Sequence, residues 1–211
     1  PADSVVTGRA PAVATRKRPK PGERRVQILQ ALAAMLEQPG AERVTTAALA
    51  ARLAVSEAAL YRHFASKAQM FEALIDFIES SVFGLINQIG EREPAGRARA
   101  ARIVAMVLQF GEKNPGMARV MVGDALVFEH ERLQQRMNQF FDKLDAALRQ
   151  SLRDGALADA AEPATLTPDA DARVRASVLT AFVAGRLQRF ARSGFRRAPS
   201  EQLGACIARM L

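Results

Sequence analysis

The residues best suited to chemistry lie in one short segment, residues 45–67. Thr45 or Thr46, and Ser56 further on, each precede apolar residues at helical spacing, so each position is predicted to cap a helix. The tight joint at Ala54-Val55 then gives the spacing of a helix-turn-helix unit. Such a unit leaves one face of its second helix free to enter the major groove of DNA. The pattern therefore predicts a DNA-reading surface, with a helical hairpin that has no DNA role as the alternative.

A further helix is predicted to begin directly after this unit, because Ser66 and Gln69 have the spacing of a capping box. The first turn of that helix offers backbone N–H groups beside Lys67, which suits a DNA phosphate. Apolar residues recur at three- and four-residue steps along the chain, and no segment alternates for long enough to indicate a sheet. We therefore expect an all-α fold.

The body that follows is predicted to contain two long amphipathic helices. The first is expected to end near Asp154-Gly155, before a loop over residues 155–170, and its apolar stripe comprises Leu133, Met137, Phe140, Phe141, Leu144, Leu148 and Leu152. The second helix is predicted to carry another stripe on one side, formed by Val174, Val178, Phe182, Val183, Leu187 and Phe190. The expected organisation is a basic arm (residues 1–23), a helix-turn-helix domain (24–66) and a larger helical domain (67–211).

Composition excludes a disordered or low-complexity protein, since 49% of the 211 residues are hydrophobic and 25% are charged. The net charge of +8 favours a polyanionic partner. Residues 1–25 supply +5 of it and residues 26–71 only +1, so the arm is expected either to attract DNA or to act as a solvated tail. Cys206 is the single cysteine, and neither a membrane span nor a secretory signal is evident, so we expect a cytoplasmic protein without a membrane partner.

The helix-turn-helix segment resembles the DNA-binding domain of TetR-family regulators. The residues that carry this resemblance are Thr45-Thr46, Leu49-Ala50, Val55-Ser56, Leu60-Tyr61-Arg62-His63-Phe64, Ser66-Lys67 and Phe71. One departure is Ala54, where the family usually has glycine, so a turn that requires a positive φ would be strained at this position. The resemblance implies binding to double-stranded DNA through the helix that spans residues 56–64.

The side chains of that helix suggest how it would read DNA. Ser56, Ala58 and Ala59 are short enough for close contact with thymine methyl groups, and Glu57 can accept a hydrogen bond from cytosine. A second group suits phosphates or the edge of the groove and comprises Thr45, Thr46, Tyr61, Arg62, His63 and Lys67. Tyr61 can instead be a half-buried packing ring, and Arg62 and His63 can simply be solvated. No metal site is expected, because His63 has no second ligand nearby.

A single unit of this kind has too small an interface for tight specific binding, so a homodimer reading two half-sites is expected. The stripe of Val174, Val178, Phe182, Val183, Leu187 and Phe190 resembles the helix through which TetR relatives dimerise. The same apolar residues can equally belong to the core of one chain.

Four segments, the first of them within the helix-turn-helix unit, resemble one branch of the family, the nucleoid occlusion factors; they are residues 55–64, 74–79, 110–116 and 125–129. This resemblance implies that DNA-bound dimers antagonise the cell-division protein FtsZ, and it implies a partner surface at Phe77, Lys113 and Asn114. Helical stepping supports Phe77, which falls outside the main apolar face of its helix, as does Phe83. A helix that joins two subdomains can also bury both sides, and this reading applies most to Phe83.

Two other functions are weighed against this one. A ligand-responsive TetR repressor would need a pocket, and the residues able to line it are Met106, Phe110, Met117, Met121, Phe128, Met137 and Phe140. Methionine and phenylalanine at helical spacing more often form plain core, so we interpret them as core and expect no small-molecule ligand. An enzyme is not expected, because the sequence has no glycine-rich phosphate loop and no Cys or His cluster. No cofactor is expected either.

Overall fold

The computed structural model describes residues 22–38, 43–158 and 167–211, and over these residues it is all-α, as predicted, with no strand. The basic arm predicted over residues 1–23 therefore lies almost wholly outside the described residues. The helices are α1 (Glu23–Leu36), α2 (Thr46–Arg52), α3 (Glu57–Tyr61), α4 (Lys67–Arg92), α5 (Gly96–Lys113), α6 (Pro115–Met121), α7 (Glu131–Ala158), α8 (Pro168–Arg192) and α9 (Leu203–Met210). A single 3₁₀ turn, Asp124–Leu126, lies between α6 and α7.

The three short N-terminal helices pack around one small core. Ile28 and Leu32 of α1 meet Leu49 of α2 and Leu60 of α3, and all four side chains are buried. Burying each of these residues stabilises the unit by roughly 1.5–3 kcal/mol. Phe64, directly after α3, is also buried and closes this core. The packing leaves one face of α2 and α3 exposed, as the helix-turn-helix prediction requires.

Helix α4 continues from this unit into the body of the protein. Its buried residues join the core of this unit to that of the body in one continuous cluster, and they comprise Met70, Phe71, Leu74, Ile75, Ile78, Val82 and Ile86. The body consists of α4 to α8, among which α7 and α8 make the most extensive pairing. Arg136 of α7 links this helix to α4 through Asp76 and Glu79, at 2.9 and 2.7 Å. Burial lowers the pKa of Arg136, but the hydrogen bonds to these two carboxylates outweigh burial and raise it above its ordinary value.

The predicted end of α7 at Asp154-Gly155 is wrong, because the helix continues to Ala158. Gly155 lies against Gly96 at the start of α5, and a Cβ on Gly155 would be 3.1 Å from the Gly96 Cα. A Cβ on Gly96 would lie only 2.1 Å from the Ser151 carbonyl oxygen. Glycine is therefore present here for a close helix contact, and it does not end the helix. The predicted loop over residues 155–170 is correspondingly shorter, since α8 begins at Pro168 with Thr167 as its cap.

The predicted stripe of α8 divides between two faces of the helix. Val183, Leu187 and Phe190 are buried within the chain and cannot contact a partner, so their assignment to a dimer interface is wrong. Val174 and Val178 are about half exposed, at 53% and 48%. Phe182 is partly buried against the core. The error arises because residues four apart share one face of a helix, whereas Val183 stands about 100° from Phe182.

An ion-pair cluster joins the end of α7 to the start of α8. Asp169 accepts hydrogen bonds from Arg149 at 2.9 Å and from Arg173 at 3.3 Å, and Arg153 lies 3.7 Å away. The hydrogen bond from Arg149 lowers the pKa of Asp169 below its ordinary value, and Arg173 lowers it further. Asp169 therefore joins α8 to α7 across the segment of residues 159–166 that separates them in the sequence.

The methionine and phenylalanine set considered for a ligand pocket is mostly core. Phe110, Met117, Met121, Met137 and Phe140 are buried. Met106 packs partly against the same core. Phe128 differs, because its side chain is 64% exposed. Within the described ranges, no helix is long and apolar enough to cross a membrane, and no three His, Cys, Asp or Glu residues gather as metal ligands would.

Candidate nucleic-acid interface

Local capping positions the two helices of the candidate interface. The Thr45 hydroxyl accepts a hydrogen bond from the Ala48 N–H at 3.1 Å, and the Ser56 hydroxyl accepts one from the Ala59 N–H at 3.3 Å. Both predicted caps are confirmed. Of the two threonines that could cap α2, Thr45 is the one that does so. Ser66 likewise caps α4 by accepting from the Gln69 N–H at 3.2 Å. Each cap satisfies a backbone donor that has no partner within its helix.

The turn between α2 and α3 has the strain that the sequence suggested. Ala54 adopts a φ of 53°, in the left-handed region where a Cβ is unfavourable by roughly 1–2 kcal/mol. The Ala54 N–H donates to the Ala51 carbonyl at 3.1 Å, and the Val55 N–H donates to the Ala50 carbonyl at 3.0 Å. These bonds hold the turn in place, so the angle between the helices is set despite the alanine.

The residues predicted to read DNA lie together on the outer surface of α3. We call α3 the reading helix, and we call the exposed residues from Ser56 to His63 the reading surface. Ser56, Glu57, Ala58, Arg62 and His63 are exposed. Tyr61 is 45% exposed, so it is not enclosed in the core, while Ala59 is partly buried. The opposite face of α3 is buried through Leu60. The helix therefore presents short polar and small apolar groups, with larger groups toward its C-terminal end.

A hydrogen bond connects the starts of the two helices. The Thr46 hydroxyl donates to the Glu57 Oε2 at 2.6 Å, between residues that both remain open to solvent. This bond uses the only hydrogen of the Thr46 hydroxyl and turns one carboxylate oxygen of Glu57 toward α2. Thr46 therefore orients Glu57, and a phosphate oxygen would have to displace the carboxylate to reach the same hydroxyl.

Lys67, at the start of α4, is committed to a partner inside the protein. Its ammonium lies 2.5 Å from the Glu129 Oε1, and the two side chains are only 17% and 7% exposed. The ammonium also lies 5.8 Å from the centroid of the Phe71 ring. The predicted phosphate contact at Lys67 must therefore share this lysine with Glu129, whereas the N–H groups at the start of α4 remain beside it.

Arg25 supports the reading helix in a way that sequence reasoning missed. Its guanidinium lies 4.0 Å from the centroid of the Phe64 ring and donates to the His63 carbonyl at 2.7 Å. A cation at the C-terminal end of a helix also interacts favourably with the helix dipole. In the sequence, Arg25 is only one of the basic residues that give residues 1–25 their net charge of +5. Arg25 and His63 are 38 residues apart in the sequence, so no local pattern connects them.

A second surface lies beside the helix-turn-helix unit, where α1, α4 and the start of α6 form a groove of about 390 Å³. It is mostly apolar, and its lining comprises Val26, Leu29, Gln30, Ala33, Glu37, Ala73, Leu74, Phe77, Asn114 and Met117. Two of the three predicted partner residues, Phe77 and Asn114, thus line one groove. The third, Lys113, is exposed and precedes Asn114 in the chain.

The orientation of the groove residues is fixed by Phe110. The Phe77 and Phe110 ring centroids are 6.0 Å apart, and the Asn114 side chain donates to the Phe110 carbonyl at 2.8 Å. Phe77 nevertheless keeps 48% of its side chain exposed. Phe83 is not part of this surface, because it is partly buried with its ring 5.4 Å from that of Phe140. The buried reading of Phe83 is therefore confirmed.

Comparison with known proteins agrees with this architecture. Residues 28–74 match the family described as "Bacterial regulatory proteins, tetR family". Among solved structures, the transcriptional regulator FadR from Bacillus subtilis in complex with stearoyl-CoA superposes with a TM-score of 0.65 at 13% identity, over 88% of this chain and 96% of that chain. A TetR/AcrR-family regulator from Thermobifida fusca gives 0.63 at 14% identity, over 89% and 96%. Fold and site together define a helix-turn-helix protein of the TetR class.

Closer relatives narrow this class. Residues 96–208 match the SlmA-like family described as "Tetracyclin repressor-like, C-terminal domain". The nucleoid occlusion factor SlmA of Citrobacter koseri is 49% identical over 183 residues, and that of Escherichia coli is 48% identical over 183; each match covers 86% of this chain and 90% of the relative. The protein of the same name from Idiomarina loihiensis is 46% identical over 182 residues. The chain belongs to the SlmA family.

Proposed function

We propose that this protein is a nucleoid occlusion factor. Its dimers bind palindromic sites on the chromosome and antagonise FtsZ assembly, which blocks septum formation over the nucleoid. The observation that carries this proposal is the presence, on one chain, of an exposed reading helix and a separate apolar groove beside it. Such an arrangement allows DNA and a protein partner to be held at the same time. The 46–49% identity to proteins named for nucleoid occlusion supports it.

The DNA half of the function rests on α2, α3 and the start of α4. In the major groove, Ser56 and Ala58 would contact base edges and thymine methyls, while Glu57 would accept from cytosine. Tyr61, Arg62 and His63 lie toward the other end of α3 and would contact the backbone, as would the N–H groups at the starts of α2 and α4. Since phosphate contacts position the protein and base contacts give it specificity, preference depends mainly on Ser56, Glu57 and Ala58.

The exposed apolar face of α8 supports dimerisation through this helix. Val174 and Val178 lie one helical turn apart and are about half exposed, and Phe182 continues the same face one turn further on. A two-fold interface places identical faces against each other, which suits a face of this kind. Two reading helices are then available for the two halves of a palindromic site. The protein would therefore be found on the nucleoid, as a homodimer.

The groove beside α1 is the proposed site for FtsZ. Its apolar lining, with Phe77 half exposed, would bury the apolar side chains of a short segment of the partner. The Asn114 side-chain oxygen is free to accept a hydrogen bond, because the amide nitrogen is the atom bonded to Phe110. Lys113 adds a positive charge at the edge and favours an acidic residue in the bound segment.

The test combines the purified protein, operator DNA and FtsZ polymers measured by sedimentation. The unaltered protein with its DNA is expected to reduce the polymer yield. Phe77→Ala is expected to lose this effect while operator affinity stays within about twofold, because Phe77 lies outside the reading surface. Val127→Ala is the matched control, since Val127 is also exposed and apolar but is not part of the groove. If the unaltered protein with DNA leaves FtsZ polymers unchanged and forms no complex, the proposal is wrong.

A further inference from the structure

Among the described residues, a strongly basic surface outside the helix-turn-helix unit lies at the end of α8. Between Asp171 and Glu201 the sequence has seven arginines and no acidic residue. Four of these arginines are exposed over a short stretch that includes the turn after the helix, and we name them the arginine patch: Arg189, Arg192, Arg196 and Arg197. This concentration of positive charge exceeds that of the reading domain itself, where residues 26–71 carry a net +1.

Within the part of the chain that the structure describes, the charge of the arginine patch is not neutralised by ion pairs. Arg173 and Arg175, earlier on α8, pair with Asp169 and Asp171, and Arg186 bonds to the Glu201 carbonyl. By contrast, no carboxylate of residues 22–38, 43–158 or 167–211 forms an ion pair with any arginine of the patch. Asp124 lines the same depression as Arg192, but it is paired with Arg119 at 3.3 Å. The patch therefore has capacity for an external anion.

The turn that carries the patch is held rigidly. The Ser193 hydroxyl accepts hydrogen bonds from the backbone N–H groups of Arg196 and Arg197, at 3.1 and 3.0 Å. Phe195 packs inward on Phe190, with ring centroids 5.2 Å apart. Because the backbone is already ordered, an anion bound here would cost only side-chain entropy.

The patch lies at the end of the body that adjoins the helix-turn-helix unit. Ser200, just beyond it, donates to Glu112 near the end of α5 at 2.6 Å. The next helix, α6, packs on α1 so closely that a Cβ on Gly116 would lie 2.5 Å from the Ala33 carbonyl oxygen. The opposite end of the body holds the Gly96 contact and the Asp169 cluster. The patch thus lies at the end of the body nearest the helix-turn-helix unit.

We propose that the arginine patch is a second DNA contact, one that binds backbone phosphates without reading sequence. The proposal rests on the DNA binding argued above. Guanidinium groups suit phosphate because they donate two parallel hydrogen bonds to it. A dimer would carry two such patches, one from each chain, each at the end of the body nearest its helix-turn-helix unit. The patch would supply much of the electrostatic attraction that the weakly charged reading domain lacks.

The experiment measures DNA affinity against salt for the triple variant Arg192→Gln, Arg196→Gln and Arg197→Gln in the full chain. Fluorescence anisotropy is recorded with an operator duplex and with a scrambled duplex. Each phosphate contact that is lost reduces the slope of log K against log salt by about 0.9. We expect the slope to fall by about two or more per dimer, affinity to drop about tenfold or more on both duplexes, and the operator preference to remain.

The matched control carries the same change in charge at the opposite end of the body: Arg92→Gln, Arg102→Gln and Arg153→Gln. It is expected to leave the salt slope nearly unchanged. The corresponding triple change to lysine in the patch is expected to restore the slope, since charge is retained, and thermal melting checks that every variant is folded. Equal slope changes for both glutamine triples would reduce the effect to net charge and overturn the proposal.

Two further outcomes also contradict the proposal. An unchanged slope in the patch variant, with operator preference intact, would overturn the second DNA contact while leaving the proposed function in place. If the patch variant instead binds DNA normally but loses binding to vesicles rich in anionic phospholipid, a membrane surface is the partner and the DNA contact is wrong. A chain that shows no operator preference before any substitution contradicts the proposed function itself.

Discussion

The reading surface depends on single side chains that bond to each other before DNA is present. Thr46 orients Glu57, Arg25 holds the end of α3, and Glu129 holds Lys67. Each of these bonds fixes a polar or charged group that would otherwise adopt several rotamers. Specificity thus depends on supporting residues as well as on the residues that touch bases.

The Thr46 hydroxyl is expected to matter for base preference. Thr46→Val removes the donor while keeping the shape, so the Glu57 carboxylate loses its hydrogen bond and its fixed orientation. A hydrogen bond to a charged group contributes about 1.5–3 kcal/mol. We therefore expect Thr46→Val to lose at least fivefold of the preference for the operator over a DNA duplex in which the contacted cytosine is replaced. Competition binding measures this preference, and Thr46→Ser, which keeps the hydroxyl, should retain it. Equal preference in the valine variant would show that Glu57 needs no support.

At the scale of secondary structure, the turn between α2 and α3 is the element under most strain. Ala54→Gly removes the Cβ from a residue with a φ of 53°. We expect the free energy of unfolding, measured with urea, to rise by about 0.5–1 kcal/mol. This value is net, because the greater freedom of glycine in the unfolded chain offsets part of the relieved strain. Ala51→Gly, in α2, should lower stability by about 1 kcal/mol, as glycine does in helices. Loss of stability in the Ala54 variant would mean that the turn gains more from the methyl group than the strain removes.

The junction between α7 and α8 is expected to depend on pH. The folded-state pKa of Asp169 is lowered, so its contribution is fully present above the ordinary value of 3.8 and is lost as pH falls through the folded-state value. Asp169→Asn should therefore be less stable than the unaltered protein at pH 7, and the two should converge below pH 4. Urea unfolding at several pH values measures the difference. A constant difference down to about pH 2.5 would contradict the assignment.

Local patterns in the sequence predict the structure of the helix-turn-helix unit, but they do not predict how the helices of the body pack. The caps at Thr45, Ser56 and Ser66 depend on residues three positions away, so short patterns predict them. No local pattern shows that Gly155 belongs inside α7, because its partner, Gly96, lies 59 residues earlier in the chain and meets it only in the folded protein. The same holds for the pairing of Arg25 with His63. Apolar composition identified α8, yet only packing decides which of its faces a neighbouring helix covers.

For the whole molecule, the exposed face of α8 is the part expected to control assembly. Val178→Glu places a charge at the centre of this face, where two copies would repel each other. We expect a monomer at micromolar concentration by analytical ultracentrifugation, with operator affinity reduced at least 100-fold because one reading helix alone is left. Leu85→Glu introduces the same charge at an exposed apolar position of α4, outside α8, and should stay dimeric. A Val178→Glu protein that remains a dimer would place the interface elsewhere.

The groove that contains Phe77 has a thermodynamic consequence because of where its walls come from. One wall, α1, belongs to the DNA-reading unit, while α4 and α6 extend into or belong to the body. A segment bound there touches both parts and so is sensitive to any change in their relative placement. If DNA alters that placement, it changes the affinity of the groove by some factor, and an occupant of the groove must change DNA affinity by the same factor. One equilibrium titration in each direction therefore measures the same coupling constant twice.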